Sequence, residues 1–384
     1  MSKELNFDCL LNIFQYTNRF EDLVVYSKVC SKWRIAAFYR LSQIKYLSLE
    51  PIERPNEDCL ISKYFPPPQY MVYSNPANDN PTHLFHDGLL NYPSRRYLKE
   101  LRNLRIVDIG AKNSFSGNLS EFLMKNREIK GLIGTPDYNT GKFLDKIEII
   151  ACYTLNWVNK PMNLKQLHIE IGISSDFSIF QDLLRLHSNE SFYNCLRPLT
   201  NLKILEIGTS IQCGYAIIDS CPNLESAYIF FRAKMINALN KTNLNLRNLV
   251  IQNTGLGQEW NSLRAILSRF PNLRNLAIRG NDTLNDHHVR KLLDMLPHVK
   301  LLDFRGSRKV TKKSASYLVD FNKRNKRSIK FYYSSKKAES LTWPKIIKSH
   351  EKICYGFDFM ENCFFRTFQS LPLILEPKIS SHHR

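Results

Sequence analysis

The chain has 384 residues, 43% of them hydrophobic, which suits a large buried core rather than a disordered tail. Its formal net charge of +19 suits either a solvated row of Lys and Arg that keeps the protein soluble or acidic partners, nucleic acid among them, and no apolar run approaches the roughly 18 residues of a membrane span. Nine cysteines without a Cys-x-x-Cys pair argue against the common zinc modules and point to a reduced setting, cytoplasmic, nuclear or both.

Lys3, Glu4 and Asp8 interrupt the N-terminal stretch, which does not read as a secretory signal. Within residues 5–40, Leu10, Ile13 and Phe14, then Leu23 and Val24, then Val29, Cys30, Trp33 and Ala37 recur at helical spacing. Asn18 to Asp22 is a polar break and Ser31 a cap candidate, so three short helices are expected. A segment this small is near the limit for folding alone, and it should dock onto something. These residues resemble an F-box, whose pattern runs Leu-Pro-x-Glu, then Ile-Phe, then a Leu, then Val-Cys-x-x-Trp. The matching stretches are Leu5-Asn6-Phe7-Asp8, Ile13-Phe14, Asp22-Leu23 and Val29-Cys30-Ser31-Lys32-Trp33-Arg34. Asn6, Asp8 and Thr17 depart from the pattern at its proline, its glutamate and a leucine.

Ile44-x-x-Leu47-x-Leu49 reads as a first strand. Eight prolines then fall between Pro51 and Pro93, and proline removes backbone donors, so an irregular insertion is expected with a short helix near Leu84 to Leu90. Its Tyr64, Phe65, Tyr70 and Tyr73 suit either a peptide-binding lip or a loop packed on its neighbours.

Beyond Asn103 a frame keeps returning: Asn-Leu-Arg or Asn-Leu-Lys followed by two apolar residues in step. Examples are Leu104-x-x-Val107-x-Ile109, Leu164-x-x-Leu167-x-Ile169, Leu202-x-x-Leu205-x-Ile207, Leu246-x-x-Leu249-x-Ile251 and Leu273-x-x-Leu276-x-Ile278. With the frames Leu224-x-x-Ala227-x-Ile229 and Val299-x-x-Leu302-x-Phe304 included, the spacings from Leu202 onward of 22, 22, 27 and 26 residues fall in the range of leucine-rich repeats. One such unit cannot bury its apolar side alone, so the units stack into a solenoid. Ile129-x-x-Leu132 and Leu144-x-x-Ile147-x-Ile149 read as further frames, and the gap from Leu164 to Leu202 as one unit with an insertion around Ser174 to Asn194. Helices are expected at Tyr215 to Asp219, Met235 to Leu239, Ser262 to Phe270, Val289 to Leu296 and Ser314 to Phe321, several stopped by a proline at 222, 271 or 297. Cys221-Pro222-Asn223-Leu224, Leu284-x-Asp286-x-x-Val289 and Val310-Thr311-x-x-x-Ala315 resemble the repeats of F-box/leucine-rich-repeat proteins.

Strand side chains alternate, so residues between the frame leucines should form a concave wall. That wall includes Gln166, His168, Glu206, Tyr228, Phe230, Arg279, Asp303 and Arg305. Tyr228, Phe230, Arg279 and Arg305 are the expected substrate contacts, because buried aromatic and arginine anchors concentrate binding energy. The alternative is that the insertions or the C-terminal tail cover the wall and do the recognising. Its acidic members count against nucleic acid as the main ligand. Asn281 is read as structural. The cluster Lys323-Arg324-Asn325-Lys326-Arg327 suits either a nuclear address or the C-terminal end of a helix. After Tyr333 the tail is too aromatic for disorder and is expected to cap the final repeat. His287-His288 and His382-His383 lack metal-ligand spacing, and no nucleotide loop or catalytic motif is legible.

The expected fold class is α/β: a three-helix F-box at 1–42, a leucine-rich-repeat solenoid at 43–333 with a Pro-rich insertion at 51–93, and an aromatic cap or tail at 334–384. A curved parallel sheet would lie inside and helices outside. The resemblance implies a non-catalytic substrate receptor of a Skp–cullin–F-box ubiquitin ligase, without metal or cofactor. Leu5, Phe7, Leu10, Ile13, Phe14, Leu23, Val29, Cys30 and Trp33 would supply the adaptor interface or the small core behind it. Alternatives are a non-ligase repeat scaffold, with the helices only an end cap, or a basic nucleic-acid-associated repeat protein.

Overall fold

The computed structural model describes residues 5–17, 19–48, 70–72, 99–110, 126, 128–135, 144–154, 163–170, 180–189, 198–209, 216–231, 241–253, 258–334, 344–347 and 351–376. The chain divides into two units, Met1–Val158 with Met162–Leu164, and Asn159–Pro161 with Lys165–Arg384.

The first unit starts with α1 (Phe7–Phe14), α2 (Phe20–Tyr26) and α3 (Ser31–Ser42), the three helices that the apolar spacing predicts. Two details differ. Cys30 rather than Ser31 holds the cap position of α3, in extended backbone and without a side-chain cap bond. The break before α2 is shorter than expected, because Phe20 is buried and opens the helix. Glu21 and Asp22 thus fall in the first turn of α2, where negative charge is favoured. α3 packs on both α1 and α2, with Ala36 and Ala37 fully buried, and small side chains allow a close helix contact.

Five parallel strands follow: β1 (Tyr46–Ser48), β2 (Tyr70–Val72), β3 (Ile106–Asp108), β4 (Gly131–Ile133) and β5 (Ile149–Cys152), in the order β2-β1-β3-β4-β5. β2 comes from the Pro-rich stretch and pairs outside β1. Tyr64, Phe65, Tyr73 and the helix expected near Leu84 to Leu90 lie outside the described residues. The last frame of this unit needs correcting. Leu132 pairs with Ile150, so the frame is Ile147-x-x-Ile150-x-Cys152, and Leu144 belongs to a 3-10 turn before it. Residues 149–152 are apolar without a break, so periodicity alone cannot set their register.

In the second unit β6 (Gln166–Ile169), β7 (Arg185–Ser188), β8 (Ile204–Thr209), β9 (Ser226–Phe231), β10 (Asn248–Asn253), β11 (Asn275–Arg279), β12 (Leu301–Phe304) and β13 (Lys330–Tyr333) run parallel in chain order. Leu167, Leu186, Leu205, Ala227, Leu249, Leu276 and Leu302 stand in register from strand to strand. β7 was not expected. The 38-residue gap is two short repeats rather than one with an insertion, and Leu183-x-x-Leu186 is the missing frame. Ser188 at its third position hides it. α4 (Ala216–Asp219), α5 (Trp260–Leu267), α6 (Asp286–Met295) and α7 (Lys312–Asn325) follow β8, β10, β11 and β12. The helix expected at Met235 to Leu239 lies outside the described residues.

The signature asparagine has a clear physical role. Asn223 Nδ2 donates to Thr200 O (2.8 Å), Asn245 to Pro222 O (3.0 Å) and Asn272 to Leu244 O (2.9 Å), each bond reaching one repeat back. Asn201 does the same to Gln181 O (3.0 Å), and in the first unit Asn103 and Asn163 reach Ser42 O and Asp145 O. Main-chain carbonyls at the turns are thereby satisfied by side chains, as buried or crowded backbone requires. Asn281 is fully buried and bonds Gln258 O and Thr283 N, a structural role. Lys326 takes the left-handed cap position after α7, and Arg327 Nη2 donates to Leu296 O and Val299 O, so part of the basic cluster is built into the fold.

The C-terminal segment contains β14 (Ile353–Tyr355), a single π turn at Met360–Phe364, a 3-10 turn at Phe368–Ser370 and β15 (Ile374–Glu376), which pairs parallel with β14. It does more than cap the final repeat. Its bonds reach from Gln166 on β6 to Arg305 just beyond β12. Among the described residues no helix is long and apolar enough to cross a membrane.

Candidate functional site

Two surfaces stand out, one in each unit. In the first, α1–α3 form a core of Leu10, Phe14, Phe20, Leu23, Ala36, Ala37 and Leu41. Phe14 stacks on Tyr26 (ring centroids 5.2 Å) and meets Trp33 edge-on (5.4 Å). Arg40 ties α3 back to α1 by donating from Nε to Phe14 O (3.1 Å) and from Nη2 to Thr17 O (3.2 Å). Burial lowers the Arg40 pKa to about 10, so it remains charged at neutral pH.

Outside that core the helices and the short segments beside them leave an apolar set in solvent. Leu5, Ile13, Tyr16, Val25, Val29, Ile35 and Tyr39 are each at least about half exposed, and Leu244 and Val319 are the other exposed large hydrophobics among the described residues. The structure therefore sorts the expected adaptor residues. Leu5, Ile13, Val29 and Cys30 are exposed, Phe7 and Trp33 half-buried, and Leu10, Phe14 and Leu23 are core. Val25, Ile35 and Tyr39 are exposed as well and were not singled out from sequence. Ile35 and Tyr39 lie four apart on α3, which was the available signal.

In the second unit the expected wall exists, and its central residues are covered by the chain's own C-terminal segment. The relative exposures of Tyr228, Phe230 and Arg279 are 0%, 3% and 3%. Ile204, Tyr228, Phe230, Val250, Ala277 and Leu301 on the strands share one apolar cluster with Cys354, Phe359, Cys363, Phe364, Phe368, Leu371 and Leu375. Covering of this kind follows from the aromatic content of the tail, whose rings leave water only by packing on another apolar surface.

Polar groups of the wall grip the segment's main chain. Gln166 Nε2 donates to Leu375 O (2.6 Å), and its Oε1 accepts from Leu375 N (3.0 Å). Arg185 donates to Pro372 O (2.6 Å) and Leu373 O (3.2 Å) while its Nη2 lies 2.6 Å from Glu206 Oε2. Burial pushes the Glu206 carboxyl up, but Arg185 and His187 outweigh it and hold the pKa at about 2. His187 Nδ1 is 3.1 Å from the same carboxylate, and burial lowers its pKa, keeping the ring neutral. Further along, Arg279 donates to Phe364 O (2.6 Å), Arg366 O (3.0 Å) and Asp303 Oδ2 (2.9 Å). Arg305 also pairs with Asp303 (2.7 Å) and donates to Pro344 O. Tyr228 Oη bonds Gln252 Oε1 and lies 3.1 Å from Arg366 O, and Gln252 also accepts from Phe368 N.

One side chain of the segment enters a formed slot. Phe368 lies over Gly208, where a Cβ would come within 3.1 Å of the ring. It stacks on His187 (4.9 Å) and Phe230 (5.2 Å), and His187 stacks in turn on His168 (3.8 Å). Burial raises the thiols of Cys354, to about 12, and of Cys363, so both stay protonated and unreactive. Among the described residues no cluster of His, Cys, Asp and Glu is placed to hold a metal ion. Gln166 was expected on the wall, but its main-chain partner was not, and Arg185 was missed together with the frame of β7.

No curated protein sequence matches the chain. Residues 3–39, the stretch containing α1, α2 and most of α3, match the family model of the F-box domain, and the chain carries that domain at its N-terminus.

Proposed function

We propose that the chain is the substrate-receptor subunit of a Skp–cullin–F-box ubiquitin ligase. The apolar face of α1–α3 docks on a Skp-type adaptor, which joins it to the cullin, and the repeats, read as leucine-rich repeats, hold a protein substrate. The observation that carries this reading is the exposed set Ile13, Val25, Val29, Ile35 and Tyr39 on a matched F-box domain. Large apolar side chains left in solvent at this density on one small domain support an interaction site, and a small three-helix domain gains stability by covering them. Leu5, Ile13, Val29 and Cys30 make direct contact, Phe7 and Trp33 form the rim, and Leu10, Phe14 and Leu23 hold the face from behind. Ubiquitin transfer is the work of other subunits, so this chain binds rather than catalyses, in the cytoplasm or nucleus.

Co-expression of the intact chain with a tagged Skp-type adaptor tests this. Capture on the adaptor is expected for the wild type and lost in the Ile13→Asp/Val29→Asp variant, whose thermal midpoint stays within a few degrees of wild type. Undiminished capture by that folded variant overturns the reading.

A further inference from the structure

We infer that the strand face of β6 to β12 is a peptide-binding groove held in cis by the C-terminal segment, which a substrate peptide of the same chemistry replaces. This inference rests on the substrate-receptor reading and names the class of substrate: a stretch uncharged from an aromatic anchor onward through leucines three and seven residues after the anchor.

Both faces of these strands are buried, but they differ in kind. One row runs Leu167, Leu205, Ile229, Leu249, Ile278 and Leu302 and is mainly apolar, with Ser188 on β7 and Asn253 at the end of β10 as its buried polar members. The opposite row carries Gln166, Arg185, His187, Glu206, Arg279 and Asp303, all buried. Parallel strands covered permanently on both faces normally read as apolar on both. A face that carries this many polar groups is suited to meeting water or exchanging one ligand for another.

Those groups address the segment's backbone more than its side chains. Gln166, Arg185, Gln252 and Arg279 bond main-chain atoms of Leu375, Pro372, Leu373, Phe368, Phe364 and Arg366. Main-chain bonds supply affinity without reading sequence, so another chain can accept them unchanged. Selectivity then falls to the slot over Gly208, filled by Phe368, and to the apolar sites of Leu371 and Leu375. Opening the groove strands no lone charge either. Arg185 keeps Glu206, and Arg279 and Arg305 keep Asp303, all of them residues of the repeats. Breaking a buried pair is costly, but here the pairs survive when the segment leaves.

A tethered occupant competes at an effective concentration that for short flexible linkers is on the order of millimolar, so the closed wild type should admit a free peptide only weakly. The probe is a fluorescent synthetic peptide of this chain's residues 364–376, titrated by anisotropy against the intact protein. Phe368→Ala in the protein weakens the cis occupant and leaves the slot intact. Binding of the probe is expected to tighten at least about tenfold over wild type, and a probe carrying the same Phe→Ala change is expected to lose that gain. Equal binding of the probe to both proteins, or of both probes to the variant, overturns the inference. If the variant does not fold, native-state hydrogen exchange of the wild type decides instead. Amides of 364–376 that open well below the global unfolding free energy support exchangeability, and amides that open only with global unfolding overturn it. Adaptor capture is measured on the same samples. Its retention alongside failed probe binding removes the groove alone, whereas its loss in wild type removes the receptor reading.

Discussion

Glu206 on β8 accepts a 2.6 Å bond from Arg185 on β7, with the two side chains 0% and 1% exposed. Beside them His187 is buried and held neutral. The carboxylate pKa falls from 4.5 to about 2 in the folded chain, and the histidine pKa falls below 6.5. For both groups the unfolded state binds more protons at acidic pH, so stability rises with pH through this range. Their contribution is fully present above about pH 6.5, declines first as His187 would protonate when unfolded, and declines further from pH 4.5 towards 2.

Urea midpoints taken across that range should therefore fall on acidification. Glu206→Gln should flatten the portion below pH 4.5, and at neutral pH should cost about 3–5 kcal/mol by leaving Arg185 buried without its carboxylate. A variant with wild-type stability at pH 7 would mean that water reaches Arg185.

The asparagine rungs predict a graded pair of losses. Asn245 is exposed, and its bond to Pro222 O can be replaced by water, so Asn245→Ala should cost about 0.5–1.5 kcal/mol. Asn243, two residues earlier, is 7% exposed; it donates to Cys221 O and accepts from the amides of Asn245 and Leu246. Asn243→Ala should cost more, about 1–3 kcal/mol, since buried groups lose their partners. Chemical denaturation of the two variants checks the order, and a reversed order would contradict the burial.

A third prediction concerns the join between α6 and α7. Asp286 in the first turn of α6 accepts from the amide and hydroxyl of Thr311 (2.8 and 2.7 Å) and from the hydroxyl and amide of Ser314 (2.5 and 3.3 Å). Partial burial pushes its carboxyl up, but the Ser314 and Thr311 bonds outweigh this and hold it below the usual value. Asp286→Ala should lower stability by about 1.5–3 kcal/mol, the range for hydrogen bonds to a charged group, and Asp286→Asn by less. Equal losses in the two variants would show that charge, rather than bond number, is what the site uses.

Most of the ladder was legible because its signal is periodic: the Asn-Leu frame repeats the same turn, and stacking needs the same leucine each time. Frames failed where the pattern was locally ambiguous. Ser188 broke the apolar pair on β7, and the continuous run on β5 allowed two registers. In α1–α3 the residue types were legible but their direction was not, since Ile13 and Phe14 are neighbours of similar apolarity with opposite exposure. The covered wall was least legible. Gln166 and Leu375 are 209 residues apart, and a bond to main-chain atoms leaves no side-chain pattern to read.

That neighbouring pair sets the last prediction. Phe14 is 1% exposed between Tyr26 and Trp33, so Phe14→Ala should cost about 3–5 kcal/mol and unfold the helices. Ile13 is 51% exposed, so Ile13→Asp should change stability by no more than about 0.5 kcal/mol while removing adaptor capture. Circular dichroism melts read the first effect and pull-down the second. Trp33 is half-buried against Phe14, so Trp33→Ala would reduce capture through lost packing as readily as through a lost contact. Only the exposed member of the pair separates the two: if Ile13→Asp melts the helices as Phe14→Ala does, the face assigned to the adaptor is core instead.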